Sequence, residues 1–340
     1  MKIGVTGGLG FIGSHTVVEL LNEGFEVVII DNLSNSSATV LDGITAITGK
    51  TPIFEQIDLR EKAAVQKFFE TYTDLAGIIH FAASKAVGES VENPLLYYEN
   101  NIGTLVYLLQ QVSQLPKANF IFSSSCTVYG QAAVMPITED APIQPAMSTY
   151  GNTKQIGEEI ITDTAKISSV QAILLRYFNP IGAHPSALIG ELPIGVPQNL
   201  VPFITQTAVG LRKELSVFGN DYPTHDGTAI RDYIYVVDIA KAHVVALKRL
   251  LNNQNTAKVE VFNLGTGNGS SVLEVIQAFE KVSGTPLNYK IVNRREGDIT
   301  AAYANTTKAN AILGWKANTS LEESVASAWK WEQKLRDSRE

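Results

Sequence analysis

A glycine-rich turn between an apolar run and an amphipathic one constrains the fold of this chain most. Lys2-Ile3-Gly4-Val5-Thr6 leads into Gly7, Gly10 and Gly13, spaced G-x-x-G-x-x-G. Phe11 to Leu21 follows as an amphipathic helix that Gly24 can close with a left-handed cap. Glu26-Val27-Val28-Ile29-Ile30 reads as a second strand, stopped by Asp31. Strand, glycine turn, helix and strand closed by an acid form one physical unit. The glycines let the backbone turn tightly and approach a pyrophosphate, whose charge rests on the helix N-terminus. The acid can accept the ribose hydroxyls of an adenosine. Asp31 would repel a 2′-phosphate and no arginine stands beside it, so the expected dinucleotide is NAD rather than NADP.

The rest of the chain continues the alternation. A polar loop, Asn32-Leu33-Ser34-Asn35-Ser36-Ser37, lies beside the adenosine half of such a cofactor, and a helical segment runs on to about Ile47. Pro52–Gln56, Gly77–Phe81, Asn119–Phe122 and Ala172–Arg176 read as further strands. Helices are expected over Glu61–Tyr72, over a long Leu95–Gln114, and from Ser148 to about Lys166. This order predicts an α/β fold, a Rossmann-type doubly wound parallel sheet, with ligands outside the carboxyl ends of its strands. Asp31, Asp58-Leu59, the small-residue loop Phe81-Ala82-Ala83-Ser84-Lys85 and Ser123–Ser125 all fall at those ends. The Pro-rich Met135–Pro145 reads as a surface loop. Beyond residue 179 the pattern shortens, so residues 1–179 are expected to form the dinucleotide domain. Residues 180–340 are expected to form mainly a smaller C-terminal substrate lobe, with 236–264 returning to the sheet.

Composition limits the partners. A chain of 340 residues with 45% hydrophobic and 18% charged residues is globular. A net charge of −7 argues against nucleic acid, and requires any anionic substrate to be met by a local cluster of arginine or lysine. One cysteine, Cys126, permits no internal disulfide. The absence of room for a signal peptide before the first strand, and of any membrane-length apolar run, sets the expectation of a soluble cytoplasmic protein without a membrane partner.

Tyr150 and Lys154 stand four apart at a helix start, which puts them on one face, one turn apart. A phenol titrates near pH ~10 and is a poor base at neutrality. A neighbouring ammonium and a bound nicotinamide cation are expected to lower that value; a drop of about three pH units corresponds to roughly 4 kcal/mol. Tyr150 would then take a proton from a substrate hydroxyl while hydride leaves the same carbon, with Ser125 sharing a hydrogen bond.

The Gly7–Gly13 turn, Ser123-Ser124-Ser125 and Tyr150-x-x-x-Lys154 together resemble an extended short-chain dehydrogenase/reductase. The runs 31–35, 80–90, 175–185, 218–224 and 294–298 are similar to the UDP-glucose 4-epimerase family, and the similarity covers nearly the whole chain. The resemblance implies a tightly held NAD that accepts the C4 hydride and returns it to the other face of a 4-keto sugar, with Tyr150 moving the O4 proton. It further implies cofactor contacts from Gly7, Gly10, Phe11, Ile12, Gly13, Asp31, Asn32, Leu33, Ser34, Asn35, Ser36, Asp58, Leu59, Phe81 to Lys85, Asn100, Ser125, Tyr150, Lys154 and Phe178. For the UDP-sugar it implies Lys85, Ser125, Tyr150, Asn179, Asn199, Phe218, Arg231, Arg295 and Asp298, the last on the uridine ribose. Arginine forks suit phosphate oxygens, and these two answer the objection from net charge. A homodimer through the helices Leu95–Gln114 and Thr149–Lys166 is implied as well.

In many members the residue four beyond the ribose acid is a bulky tyrosine; here it is Ala302, followed by Tyr303. The missing ring predicts space beside the sugar C2 substituent, and hence turnover of UDP-N-acetylglucosamine and its galacto epimer. Cys126 replaces a more usual alanine, with little effect expected. A nucleotide-sugar 4,6-dehydratase is the nearest rival, but those enzymes carry an Asp-Glu pair after the strand-five threonine, and Ser125-Cys126-Thr127 offers neither carboxylate. A non-catalytic NAD-sensing regulator is the other, although such proteins usually lack the tyrosine and lysine. His15 and His80 read as packing residues, and His184, His225 and His243 lack metal-like spacing, so no metal is assigned. Trp315, Trp329 and Trp331 read as packing, and Gly265–Gly269 as a turn before a helix rather than a second phosphate loop.

Overall fold

The branched residues of the second predicted strand are buried on both faces, which only a covered parallel sheet allows. Residues 1–295 and 298–337 are described in the computed structural model; Glu296 and Gly297 of the 294–298 run, and residues 338–340, lie outside the described residues. In chain order the first half contains β1 (Lys2–Thr6), α1 (Phe11–Asn22), β2 (Glu26–Asp31), α2 (Val40–Thr48), β3 (Ile53–Gln56), α3 (Lys62–Thr71) and β4 (Leu75–His80). It continues through α4 (Val87–Glu92), α5 (Pro94–Tyr97), α6 (Thr104–Val112), β5 (Asn119–Ser125), α7 (Thr149–Ile167), β6 (Gln171–Tyr177) and β7 (Asn179–Ile181). The second half contains α8 (Leu200–Ala208), β8 (Leu215–Phe218), β9 (Ile230–Arg231), β10 (Tyr233–Tyr235), α9 (Val236–Leu251) and β11 (Val259–Leu264). Then come β12 (Ser270–Ser271), α10 (Val272–Ser283), β13 (Tyr289–Val292), β14 (Ala301–Ala302) and α11 (Leu321–Asp337).

Seven strands form one parallel sheet in the order β3-β2-β1-β4-β5-β6-β11. Period-two alternation sends Val27, Ile29, Ile79, Ile121, Ile173 and Leu175 into an apolar layer shared with α1 and α9. Val28, Ile30, Ile78, Phe120, Phe122 and Leu174 face the opposite layer, shared with α3, α6 and α7. A third apolar cluster gathers Ile204, Val217, Ile276, Phe279 and Val325 from α8, β8, α10 and α11. Helix α10 begins with a reciprocal capping box between Ser271 and Glu274 and ends at the left-handed Gly284.

Two expected elements differ. The predicted long helix over Leu95–Gln114 is α5 and α6 joined by a π-helical turn, Tyr98–Gly103, and it ends at Val112. That turn lets Asn101 reach sideways, its amide donating to the Ser84 carbonyl at 3.0 Å and to Thr153 Oγ1 at 3.0 Å. The predicted surface loop at Met135–Pro145 is pinned at Ile137, which is buried and exchanges backbone hydrogen bonds with Tyr303 and Asn305.

Candidate active site

The turn after β1 is built by missing side chains. Gly7 has φ +65°, and a Cβ there would stand 2.8 Å from the Ala82 nitrogen. A Cβ on Gly13 would stand 2.1 Å from the Gly7 carbonyl oxygen, so α1 packs directly on the turn. No side chain caps α1 and no acid occupies its first turn, which leaves its positive end open to an anion. At the end of β2, Asp31 Oδ2 accepts from Leu9 N at 3.1 Å, and Oδ1 from Leu33 N at 2.9 Å and Ser36 Oγ at 2.7 Å. A carboxylate offers about four acceptor sites, so capacity for a ribose hydroxyl remains. Leu33 holds φ +61° to make that contact, and Asn32 donates to Asp58 at 3.2 Å. Asp58 pairs with Arg60, whose hydrogen bonds hold its carboxyl down at about 2. Leu59 buries its side chain among α3 and β2 residues, which leaves its backbone for any ligand.

The loop after β4 closes over the same turn. His80 Nδ1 and Thr6 Oγ1 lie 2.7 Å apart, and Thr6 Oγ1 also accepts from Ala82 N at 3.3 Å. Burial pushes His80 down to about 3, so it is a neutral packing residue stacked on Phe122. Phe81 packs on the buried ring of His243 at 4.6 Å, and Ser84 is held by Asn100 at 3.0 Å and by Asn101. The glycine cradle, the open helix end and the free capacity on Asp31 fit a dinucleotide.

Beside this cradle, Ser148 caps α7 by accepting from Gly151 N at 3.1 Å, which sets Tyr150 and Lys154 one turn apart facing the end of β5. Lys154 is 5% exposed; its Nζ donates to the Ser123 carbonyl at 2.7 Å and lies 5.8 Å from the Tyr150 ring centre and 4.8 Å from that of Phe122. Burial lowers Lys154 to about 8, against the attraction of Glu158 one turn on. Glu158 in turn binds Arg176 Nε at 2.9 Å and Ser124 Oγ at 2.5 Å, forming a buried cluster behind the site. Tyr177 bonds Ser123 through its hydroxyl.

The protein's own groups do not lower the phenol. Burial pushes Tyr150 up to about 12, a hydrogen bond from Ser125 pulls the other way, and the ammonium points at a backbone carbonyl instead. The Cys126 thiol, partly buried, is likewise driven up to about 12.

Phe218, Arg231, Arg295 and Asp298 come together. Arg295 binds Asp298 at 3.0 Å and covers the Phe218 ring at 4.8 Å, while Arg231 lies 3.8 Å from Asp298 and donates to the Ile299 carbonyl at 2.9 Å. Asn179 starts β7 beside β10, and Asn199 immediately precedes α8. Ala302 pairs with Arg231 across β14 and β9, and is buried against Phe178, Val128 and Tyr129. Tyr303 lies beside Gly269, where a Cβ would stand 3.1 Å from its ring.

Several residues here went unread in the sequence: Asn101 beside Asn100, Glu158 at four beyond Lys154, Glu191, and Asp232. The last explains the Gly265–Gly269 turn. Asp232 is fully buried and takes the amides of Thr266 at 2.9 Å and Gly267 at 3.3 Å, so the loop is spent on a carboxylate of its own chain. His15 is buried with Nδ1 on the Phe11 carbonyl at 2.7 Å, and Trp315 and Trp331 donate to backbone carbonyls.

A dinucleotide cradle on a parallel sheet, with a serine, a tyrosine and a lysine at the end of its fifth strand, defines an extended short-chain dehydrogenase/reductase. The family model described as GDP-mannose 4,6 dehydratase matches residues 5–328. A UDP-glucose 4-epimerase of Bacillus subtilis is 50% identical over 333 residues, covering 98% of this chain and 97% of that protein. Two solved UDP-glucose 4-epimerases, each covered to 99% on both sides, are 45% identical. That of Stenotrophomonas maltophila, with NAD and formylated UDP-arabinopyranose, has a TM-score of 0.95. That of Bifidobacterium longum, with NAD+ and UDP, has a TM-score of 0.94. The chain belongs to the UDP-glucose 4-epimerase family.

Proposed function

We propose that this chain is an isomerase that inverts C4 of UDP-hexoses, UDP-glucose to and from UDP-galactose, through a 4-keto sugar. The observation that carries the reading is the meeting of Tyr150, Lys154 and Ser125 at the end of β5, beside the glycine cradle. NAD, when bound, supplies the acceptor and donor of hydride and a positive ring. Its holders would be the turn Gly7–Gly13, Asp31 to Ser36, Asp58, Leu59, Phe81 to Lys85, Asn100 and Phe178. Tyr150 takes the proton from O4 and returns it, while Ser125 holds the same oxygen. An ammonium about 6 Å from a phenolate stabilises it by about 3 kcal/mol at an effective dielectric of ~20, or roughly two pH units. Lys154 alone therefore leaves a phenol of about 12 above neutrality, and a second positive charge is needed before Tyr150 acts as a base. Arg231 and Arg295 bind the diphosphate, Asp298 the uridine ribose, and Asn179, Asn199, Phe218 and Lys85 complete the nucleotide-sugar site.

The 4,6-dehydratase alternative lacks its carboxylates after Ser125. The regulator alternative leaves Tyr150 and Lys154 without a task. Residues 1–179 with 236–264 form the dinucleotide part and the remainder mainly the sugar-nucleotide part. We also infer a homodimer, supported by the 80% exposed Leu95 and 90% exposed Ile167 on the helices expected at the interface. No helix among the described residues is long and apolar enough to cross a membrane; a cytoplasmic location accords with the single cysteine.

Nuclear magnetic resonance of UDP-galactose incubated with the protein should show UDP-glucose forming. Tyr150→Phe should slow this by about 10²- to 10⁴-fold with NAD content retained; an undiminished rate would overturn the assignment. A second reading follows from Ala302, a small side chain where many relatives carry a tyrosine ring. UDP-N-acetylglucosamine in the same experiment should give its galacto epimer, and its inertness would remove that reading alone.

A further inference from the structure

Asn199 stands at the N-cap of α8, where an asparagine side chain ordinarily accepts from the first-turn amides. Here it makes no cap bond. Its amide nitrogen donates instead to Glu191 Oε1 at 2.7 Å. The same oxygen takes Lys85 Nζ at 3.4 Å, from the loop after β4. The Glu191 side chain is only 12% exposed, whereas Lys85 is 49% exposed. Glu191 is itself fixed from behind. Its carbonyl accepts from Trp331 Nε1 at 2.9 Å, and Gly190 sits so close that a Cβ would come within 2.5 Å of the indole.

We propose that Glu191 is a positioning residue for the nucleotide-sugar, a site residue that neither the motifs nor the relatives assign. It rests on the UDP-sugar site proposed above. An ionised carboxylate can only accept. It therefore fixes which way the Asn199 amide faces: the NH₂ turns to Glu191 and the carbonyl oxygen turns away, presented as an acceptor to a donor such as a sugar hydroxyl. Glu191 also holds Lys85 in register with Asn199, so one carboxylate oxygen couples two ligand contacts from segments far apart in sequence. The α8 amides that Asn199 would otherwise cap are left without that side chain. The bond from Trp331 fixes the Glu191 backbone from which the carboxylate reaches both binding residues.

The test is a double-mutant cycle on the NAD-loaded protein, reading kcat and KM for UDP-galactose and, independently of turnover, the Kd of UDP-glucose by calorimetry. Glu191→Ala should raise KM and Kd about tenfold with kcat within about twofold, as expected for the loss of charge-assisted hydrogen bonds. Glu191→Gln keeps the volume and an acceptor for Asn199 but loses the ion pair with Lys85, and should raise both about threefold. In an Asn199→Ala background, Glu191→Ala should add only about threefold, the share carried by Lys85. Multiplicative losses in the double variant would overturn the proposal. So would a lowered Tm in both Glu191 variants with unchanged KM and Kd. A wild-type protein that binds UDP-glucose without turning it over would refute the epimerase reading, while the Kd cycle would still decide the role of Glu191.

Discussion

Replacing Lys154 with methionine should remove activity and make the protein more stable at neutral pH. The ammonium is 5% exposed, and burial holds it at about 8 rather than 10.5. Keeping the charge in the folded state therefore costs roughly 3 kcal/mol. Methionine has similar length and no charge, so that cost disappears. Against it stands the lost hydrogen bond to the Ser123 carbonyl, 2.7 Å long, which leaves a buried acceptor and costs about 1–2 kcal/mol. The balance favours Lys154→Met by about 1.5 kcal/mol at pH 7, a rise of roughly 2 °C for a chain of this length. The pH dependence separates this account from a generic packing effect. Below pH 8 the lysine is protonated in both states and the full cost applies. Between about 8 and 10.5 the unfolded chain binds the extra proton, so wild-type stability rises with pH by about 1.4 kcal/mol per pH unit. The variant lacks that gain, and the two curves should cross near pH ~9, with the wild type ahead by about 1 kcal/mol at pH 10. Thermal unfolding of both proteins, stripped of nucleotide because bound ligand shifts Tm by mass action, reads this directly. A variant less stable than wild type at pH 7, or a gap that does not change between pH 7 and 10, would refute the reasoning.

Arg176→Met should destabilise by about 3 kcal/mol, read by urea unfolding, because it leaves Glu158 buried with Ser124 and Lys154 as partners; adding Glu158→Leu should recover most of the loss. Gly13→Ala should abolish NAD retention, measured in the purified protein, since its Cβ would fall 2.1 Å from a backbone oxygen that cannot swing aside.

The parts that the sequence made legible are those in which one local rule decides. Val27 to Ile30 could only be a doubly buried strand, Gly7 to Gly13 only a tight turn, and Tyr150 with Lys154 only one face of a capped helix. The β4 loop was placed at the site for the same reason. What stayed hidden depends on contacts between distant segments. Glu191 and Asn199 flank a Pro- and Gly-rich stretch with no period to read, and Lys85 lies 106 residues before its carboxylate. The π-helical turn at Tyr98–Gly103 lies inside one continuous helical run, and its Asn100, Asn101 and Gly103 are weak helix formers without a signature of their own, so only the reach of Asn101 reveals it. For the phenol, proximity of a cation is legible in the sequence and the depth of its burial is not.

That burial points to a coupling between charge and chemistry. A phenol at about 12 beside an ammonium at about 8 is a pair in which the same dry surroundings push both partners toward their neutral forms, although the lysine stays charged at pH 7. Each charge would relieve the other, yet Lys154 spends its shortest contact on Ser123, whose hydroxyl bonds Tyr177. The lysine is thus anchored to β5 and not to the base it serves. A site that must pass a proton out and take it back within one turnover needs this symmetry. A lysine drawn tightly onto the phenolate would stabilise one protonation state and slow the return. The Glu158–Arg176 cluster one turn deeper supports that arrangement by keeping Lys154 charged without competing for its hydrogen bond. The stability lost in burying these charges is therefore spent on keeping both directions of proton transfer open.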